Sequence, residues 1–150
     1  CGSVTVTAAA SIAVIAALKG LFGFSMAAAA LAGACVGFVL WNKNPAKVFM
    51  GDTGSMFLGG MIVALSYAIG CPLIVLLAGL TYVIEGASDV LQIVYYKATG
   101  GKRIFKMAPI HHHFEMCGWS EKKITLVFTV INVLGGIAAI AVMYYGGYIS

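Results

Sequence analysis

The stretch LFGFSMAAAALAGACVGFVLW, Leu21 to Trp41, decides the fold. It holds no charged residue and meets the roughly 20 apolar residues a helix needs to cross a bilayer. Helix and closed barrel are the two structures that satisfy their own backbone in hydrocarbon. Barrel strands would alternate in hydrophobicity with period two, and runs such as Ile12 to Leu18 do not. Four further stretches read as helical spans: Cys1 to Leu18, closed by Lys19-Gly20; Thr53 to Ile69, closed by Gly70-Cys71-Pro72; Pro72 to Tyr96; and Ile124 to about Tyr148. The expected fold is all-α: one polytopic transmembrane helix bundle over residues 1–150, with about five spans at 1–18, 21–41, 53–69, 72–96 and 124–148.

Composition agrees. Of 150 residues, 61% are hydrophobic and 9% charged, with a mean hydropathy of +1.00. A soluble domain carries about 25% charged residues, so water is not the main solvent of this chain. Cys1 is preceded by no initiator Met, and no basic n-region or small-residue cleavage site follows it, which argues against a signal peptide. The expectation is the C-terminal part of a longer chain. Cys1, Cys35, Cys71 and Cys117 form no close pair, so they read as small apolar residues rather than a disulfide or zinc framework.

The fourth span is unusual. Its apolar half, Pro72 to Ile84, is only 13 residues and then meets Glu85, Ser88, Asp89 and Gln92. Glu85, Asp89 and Gln92 are spaced i, i+4, i+7 and share one helical face. Such groups at membrane depth are costly and turn toward a cavity; the alternative is a helix that emerges into water there. With five spans the loops alternate sides. One side receives Lys43, Lys47, Lys97, Lys102, Arg103, Lys106, Lys122 and Lys123, and the other only Lys19. Positive charge marks the cytoplasmic face, so loops 42–52 and 97–123 are expected inside. Small residues at four-residue spacing, Ala29-Gly33-Gly37 and Gly60-Ala64-Ala68, suit close helix packing.

The polar chemistry gathers in those two loops. The run Asn42 to Ser55 brings Asp52, Thr53 and Ser55, with Gly51 and Gly54, to the start of the third span. A helix N-terminus favours phosphate, and Asp52 is a candidate to hold Mg²⁺, which takes one or two carboxylates plus phosphate oxygens. The plainer reading is that Asp52 or Thr53 caps the helix. The second loop carries six basic side chains, suited to anionic headgroups or a phosphorylated ligand, and His111-His112-His113-Phe114-Glu115. Three consecutive imidazoles cannot all face one way. At most two share a ligand and the third orients the loop; a histidine can act as acid, base or phosphate donor. A solvated loop or an adventitious metal site are the plainer readings.

Asn44-Pro45-Ala46 through Val48-Phe49-Met50-Gly51-Asp52-Thr53-Gly54-Ser55 resembles the cytoplasmic signature of the phospho-N-acetylmuramoyl-pentapeptide-transferase family. Gly101-Lys102-Arg103-Ile104-Phe105, Met107-Ala108-Pro109 and Ile110 through Glu115, then Gly118-Trp119, resemble its later histidine loop. The wider polyprenyl-phosphate HexNAc-1-phosphate transferase superfamily shares the aspartate loop but spaces its histidines differently. The likeness runs from about Gly37 to Lys123. It implies transfer of phospho-MurNAc-pentapeptide from UDP-MurNAc-pentapeptide to undecaprenyl phosphate, giving lipid I and UMP for peptidoglycan synthesis, with Mg²⁺ required. By the same resemblance Asp52 is the Mg²⁺-associated catalytic aspartate and His111 the catalytic histidine near the diphosphate, with His112 beside the nucleotide and His113 next to it. Asn42, Phe49, Gly51, Ser55, Gln92 and Ala108 match the nucleoside pocket, with Phe49 stacking on uracil. This use of Gln92 favours the cavity reading of the fourth span. Implied partners are the two substrates, the lipid bilayer of a bacterial inner membrane, a second copy in a homodimer, and the N-terminal half of the same enzyme; nucleic acid is not among them.

Two departures stand out. The aspartate pair and Asn/Asp-rich loop of the family's N-terminal half are missing here, so these 150 residues alone are expected to be inactive. Asp89 stands where an apolar residue is expected. Rival readings are a UDP-GlcNAc:polyprenyl-phosphate GlcNAc-1-phosphate transferase, separated by donor choice, and a transporter or metal-handling protein. Against the latter, the polar residues gather at one membrane surface.

Overall fold

The structure is a computed structural model that describes residues 1–42 and 46–148. Lys43, Asn44 and Pro45 of the first loop motif lie outside the described residues. Seven α-helices follow in order: α1 Gly2–Leu18, α2 Phe22–Asn42, α3 Gly51–Ala68, α4 Val75–Ala78 after a 3₁₀ turn at Pro72–Ile74, α5 Leu80–Ala98, α6 Ile110–Met116 and α7 Glu121–Tyr145. Among the described residues there is no strand.

Two reversals use the same device. Gly20 and Gly70 take φ of +71° and +75°, and the next residue's N–H reaches back to a last-turn carbonyl: Leu21 to Ala16 at 2.9 Å, Cys71 to Ser66 at 3.1 Å. Lys19 Nζ donates to Ile69 O at 2.9 Å, so both turns sit at one end of the bundle. The opposite end collects the starts of α1 and α7, where Ser3 accepts from Thr129. Apolar on every side, α1 is the central helix, packed by α2, α3, α4 and α7. Ile12 and Ile15 are fully buried beside Ile62 and Ile69 of the α3 end.

The all-α membrane bundle stands, but its spans differ from the expected five. By length and composition α2 and α7 can cross a membrane alone, while the 17-residue α1 is a shorter apolar helix. The first five residues of α3, Gly51 to Ser55, are small or polar and thin its apolar length. The fourth span, read as one rod over 72–96, is broken at Gly79, with α4 and α5 meeting at 88°. Gly79 takes φ −113° and ψ 33°, outside the helical range.

A break within an apolar helix pair strands backbone groups, and fully buried Asn132 of α7 collects them. Its Oδ1 accepts from Thr81 N–H at 3.1 Å, and its Nδ2 donates to Ala78 O at 3.0 Å. Nδ2, with two N–H bonds for three acceptors, also lies 2.8 Å from Thr7 Oγ1 and 3.2 Å from Val4 O on α1. One amide thus closes both sides of the break and ties it to the central helix. Gly135 and Gly136 permit the approach, since a Cβ there would strike Leu77 O and Ser11 Oγ. The small-residue stripes expected to pack helices closely do not do so within this chain. Ala29, Gly33, Gly37, Gly60, Ala64 and Ala68 are exposed, and α2 buries Ala28, Leu31 and Cys35 instead.

Beyond the break, α5 is two-faced. Val83, Val90, Leu91 and Val94 are exposed, whereas Glu85, Ser88 and Gln92 turn toward α6 and the loop before it. The polar face therefore meets protein-lined space rather than simply emerging into water. Half-buried Asp89 bonds to nothing among the described residues; nothing in the structure explains it.

Candidate functional site

The histidine string folds as a seven-residue helix, α6, docked in the corner between α5 and α7. Successive residues in a helix are turned by about 100° from one another, so the three imidazoles diverge. Ser88 Oγ accepts the Ile110 N–H at 3.0 Å and donates to Glu85 O at 2.6 Å, seating the first turn of α6 on α5. His111 Nδ1 lies 2.8 Å from Glu85 Oε2. His112 Nδ1 lies 2.7 Å from Glu115 Oε2, and its ring centroid is 4.1 Å from that of His111. His113 Nδ1 accepts the Lys106 N–H at 3.2 Å, so this ring holds the preceding loop. Phe114 stacks on Trp119 with centroids 4.8 Å apart and meets Phe128 edge-on, fixing α6 to α7.

Gln92 clamps the same loop. Its Oε1 accepts from Ile104 N–H at 3.1 Å and Phe105 N–H at 3.0 Å, and its Nε2 donates to Phe105 O at 3.1 Å. With Ala108, Arg103 and Lys97 it lines a cavity of about 390 Å³. A second cavity, about 490 Å³, is lined by Glu85, His111, Glu115 and Phe128. Asn42 and Phe49 line a third, about 870 Å³, beside Lys122. The last two adjoin, since Cys1, Ser3, Glu121 and Thr125 line both.

The residues expected to form one nucleoside pocket are thus divided. Asn42 and Phe49 face one cavity, and Asn42 Nδ2 donates to Val48 O at 2.7 Å. Phe49 is 81% exposed, leaving its ring free to stack. Gln92 and Ala108 share another cavity, and the Gln92 amide is committed to backbone there. Gly51 and Ser55 lie in the first turns of α3 and line none of the three. Gly51 takes φ +67° with open space around it, so the backbone turn and not crowding calls for glycine.

Asp52 is not a cap: Met50 holds the N-cap position without a side-chain bond, and Asp52 follows inside the first turn. It is exposed and makes no ion pair among the described residues. No cluster of three or more His, Cys, Asp or Glu side chains suited to a metal occurs among those residues. A single exposed carboxylate at a helix start fits Mg²⁺ where phosphate oxygens and water complete its shell. Phe49, three residues before Asp52, shares the Cys1 end of the bundle with His111. Sequence reasoning missed Glu85 and Glu115 as partners of the imidazoles. The signals were present: Glu85 heads the polar i, i+4, i+7 face, and Glu115 follows His112 by three residues.

All-helical and apolar, with its charged loops gathered at one end, the chain is a membrane helix bundle, and residues 1–70 match the profile of glycosyl transferase family 4. It is 53% identical over 116 residues to a phospho-N-acetylmuramoyl-pentapeptide-transferase of Listeria monocytogenes, covering 77% of this chain and 36% of that protein. Proteins of the same description from Corynebacterium jeikeium and Clostridium botulinum are 51% identical over 120 residues and 46% over 132. Those matches cover 80% and 88% of this chain, and 32% and 40% of the relatives. The chain is similar to these phospho-N-acetylmuramoyl-pentapeptide-transferases over most of its own length and spans roughly a third of theirs.

Proposed function

We propose that this chain is the C-terminal part of a Mg²⁺-dependent phosphoglycosyl transferase of the bacterial inner membrane, its site facing the cytoplasm. The reaction moves phospho-MurNAc-pentapeptide from UDP-MurNAc-pentapeptide to undecaprenyl phosphate. An oxygen of the carrier phosphate forms a bond to the sugar-proximal phosphorus; the bond from that phosphorus to the bridging oxygen breaks, and UMP leaves with the electron pair. The observation that carries this reading is the meeting of both loops where α1 and α7 begin. Asn42 and Phe49 line one cavity, Glu85 and His111 line its neighbour, and the two share a wall. The relatives' activity, at 46–53% identity, supports it.

Phosphoryl transfer needs positioning and charge neutralisation more than covalent chemistry. Phe49 offers a bare ring for uracil, with Asn42 beside it. Asp52 would hold Mg²⁺, which neutralises diphosphate charge and stabilises departing UMP. His111, its Nδ1 against Glu85, keeps Nε2 for the diphosphate. Ser55, Gly51, His112 and His113 complete the loops on the nucleotide side, and the cavity of Gln92 and Ala108, flanked by Lys97 and Arg103, suits anionic groups of the donor. A homodimer and the remaining part of the enzyme belong to the same proposal.

The full-length transferase, given Mg²⁺, undecaprenyl phosphate and either UDP-MurNAc-pentapeptide or UDP-GlcNAc, tests it. UMP release is expected with the first donor alone, and none from residues 1–150 by themselves. Release from UDP-GlcNAc would assign the chain to the other branch, and release by the isolated segment would refute its dependence on further residues.

A further inference from the structure

We propose that Glu85 is a positioning residue for His111: its carboxylate fixes which imidazole nitrogen carries the proton and where the other one points. The proposal rests on the reading of His111 as the histidine at the diphosphate. Three observations carry it. Glu85 Oε2 lies 2.8 Å from His111 Nδ1, across 26 residues of sequence, so the bond joins separate elements. The His112–Glu115 pair, by contrast, is local to one helix at i, i+3. Next, the helix that supplies Glu85 also seats the backbone of His111's own turn, through Ser88 Oγ to Ile110 N–H. Both ends of the pair are therefore held. Last, Glu85 and His111 line one cavity together with Tyr82, Glu115, Ile124 and Phe128, and 23% of the Glu85 side chain is exposed, so the pair borders space a ligand can enter.

A carboxylate that accepts the Nδ1 proton leaves Nε2 with the lone pair. Near His111 the ionisable groups are Tyr82 and Glu85 from α5, His112 and Glu115 on α6, Glu121 from α7 and Cys1 before α1. Of these, Glu85 is bonded to the His111 ring.

The test uses Glu85→Ala, Glu85→Gln and His111→Ala in the full-length transferase, each checked for thermal unfolding. Glu85→Ala is expected to lower kcat about 10- to 100-fold, the usual cost of losing such an orienting carboxylate, and to leave KM for the UDP-sugar nearly unchanged. In the His111→Ala background the same change should cost nothing further. Glu85→Gln keeps an acceptor for Nδ1–H but lacks the charge; its kcat should fall between, with KM for the UDP-sugar again nearly unchanged. An inactive His111→Ala beside a Glu85→Ala of wild-type kcat would overturn the positioning role alone. So would a wild-type kcat in Glu85→Gln, or a loss carried by KM instead of kcat, which decides the matter if Glu85→Ala does not fold. A fully active His111→Ala would instead remove the reading of His111, and the proposal with it.

Discussion

Replacing Asn132 by Leu should be among the most damaging substitutions in the apolar part of the molecule. The side chains are similar in size, so little cavity is made and the loss is of hydrogen bonds. In an unbroken helix, Thr81 N–H would bond Leu77 O and Ala78 O would receive Tyr82 N–H. Around Gly79 both Tyr82 and Val83 turn their N–H to Gly79 O, at 2.9 and 3.2 Å. Thr81 N–H and Ala78 O then depend on Asn132. Each buried group left without a partner costs about 1–3 kcal/mol, so the two orphans come to roughly 2–6 kcal/mol. Interhelical hydrogen bonds in membranes average about 0.6 kcal/mol, and the three that one Asn side chain makes at once here give roughly 1.8 kcal/mol, close to the lower end of that range. The assay is equilibrium unfolding of the full-length transferase in mixed micelles, with helicity as readout. Leu134→Ala serves as control, since Leu134 is 61% exposed. A loss below about 0.5 kcal/mol for Asn132→Leu would put it among ordinary surface substitutions and refute the claim that this amide sustains the break.

Two further predictions concern the first loop. Asp52→Asn keeps the shape and removes the charge; in the full-length enzyme UMP release should drop at least about 100-fold with membrane insertion intact, and normal turnover would cancel the Mg²⁺ assignment. Phe49→Ala should weaken UDP-sugar binding about 5- to 150-fold, the worth of one base–aromatic stack, without matching loss in carrier binding. Equal losses for both ligands in direct binding assays would count against stacking.

The spans legible in the sequence are those where composition alone decides. Leu21 to Trp41 lies within one residue of α2 at each end, and α7 starts three residues before the expected Ile124. The break was not legible from its own neighbourhood, because Leu73 to Ile84 reads as one apolar run with a single Gly. What stabilises it lies over 50 positions away, at Asn132. That residue was the signal: a lone carboxamide in the middle of an apolar span needs a partner. The stripes Ala29-Gly33-Gly37 and Gly60-Ala64-Ala68 show the converse, where correct spacing did not lead to contact. Which side of a helix meets a neighbour depends on tertiary packing, and Gly135 and Gly136 are instead the close-approach glycines.

The candidate site was legible as two motifs, and its geometry was not, because the geometry follows from the break. A straight helix rises about 1.5 Å per residue, so Gln92 would lie roughly 20 Å beyond Gly79 along the axis of α4. The 88° turn converts that advance into a sideways reach. Along it α5 presents Glu85 to His111, Ser88 to the start of α6, and Gln92 to Ile104 and Phe105. Three side chains of one face thus organise the histidine loop because the helix changes direction before them. The i, i+4, i+7 spacing identifies the face, but only the direction of α5 brings it to the loop. That direction is held at Gly79 by an amide from α7, so the stability of the break and the placement of the imidazoles rest on the same Asn132 side chain.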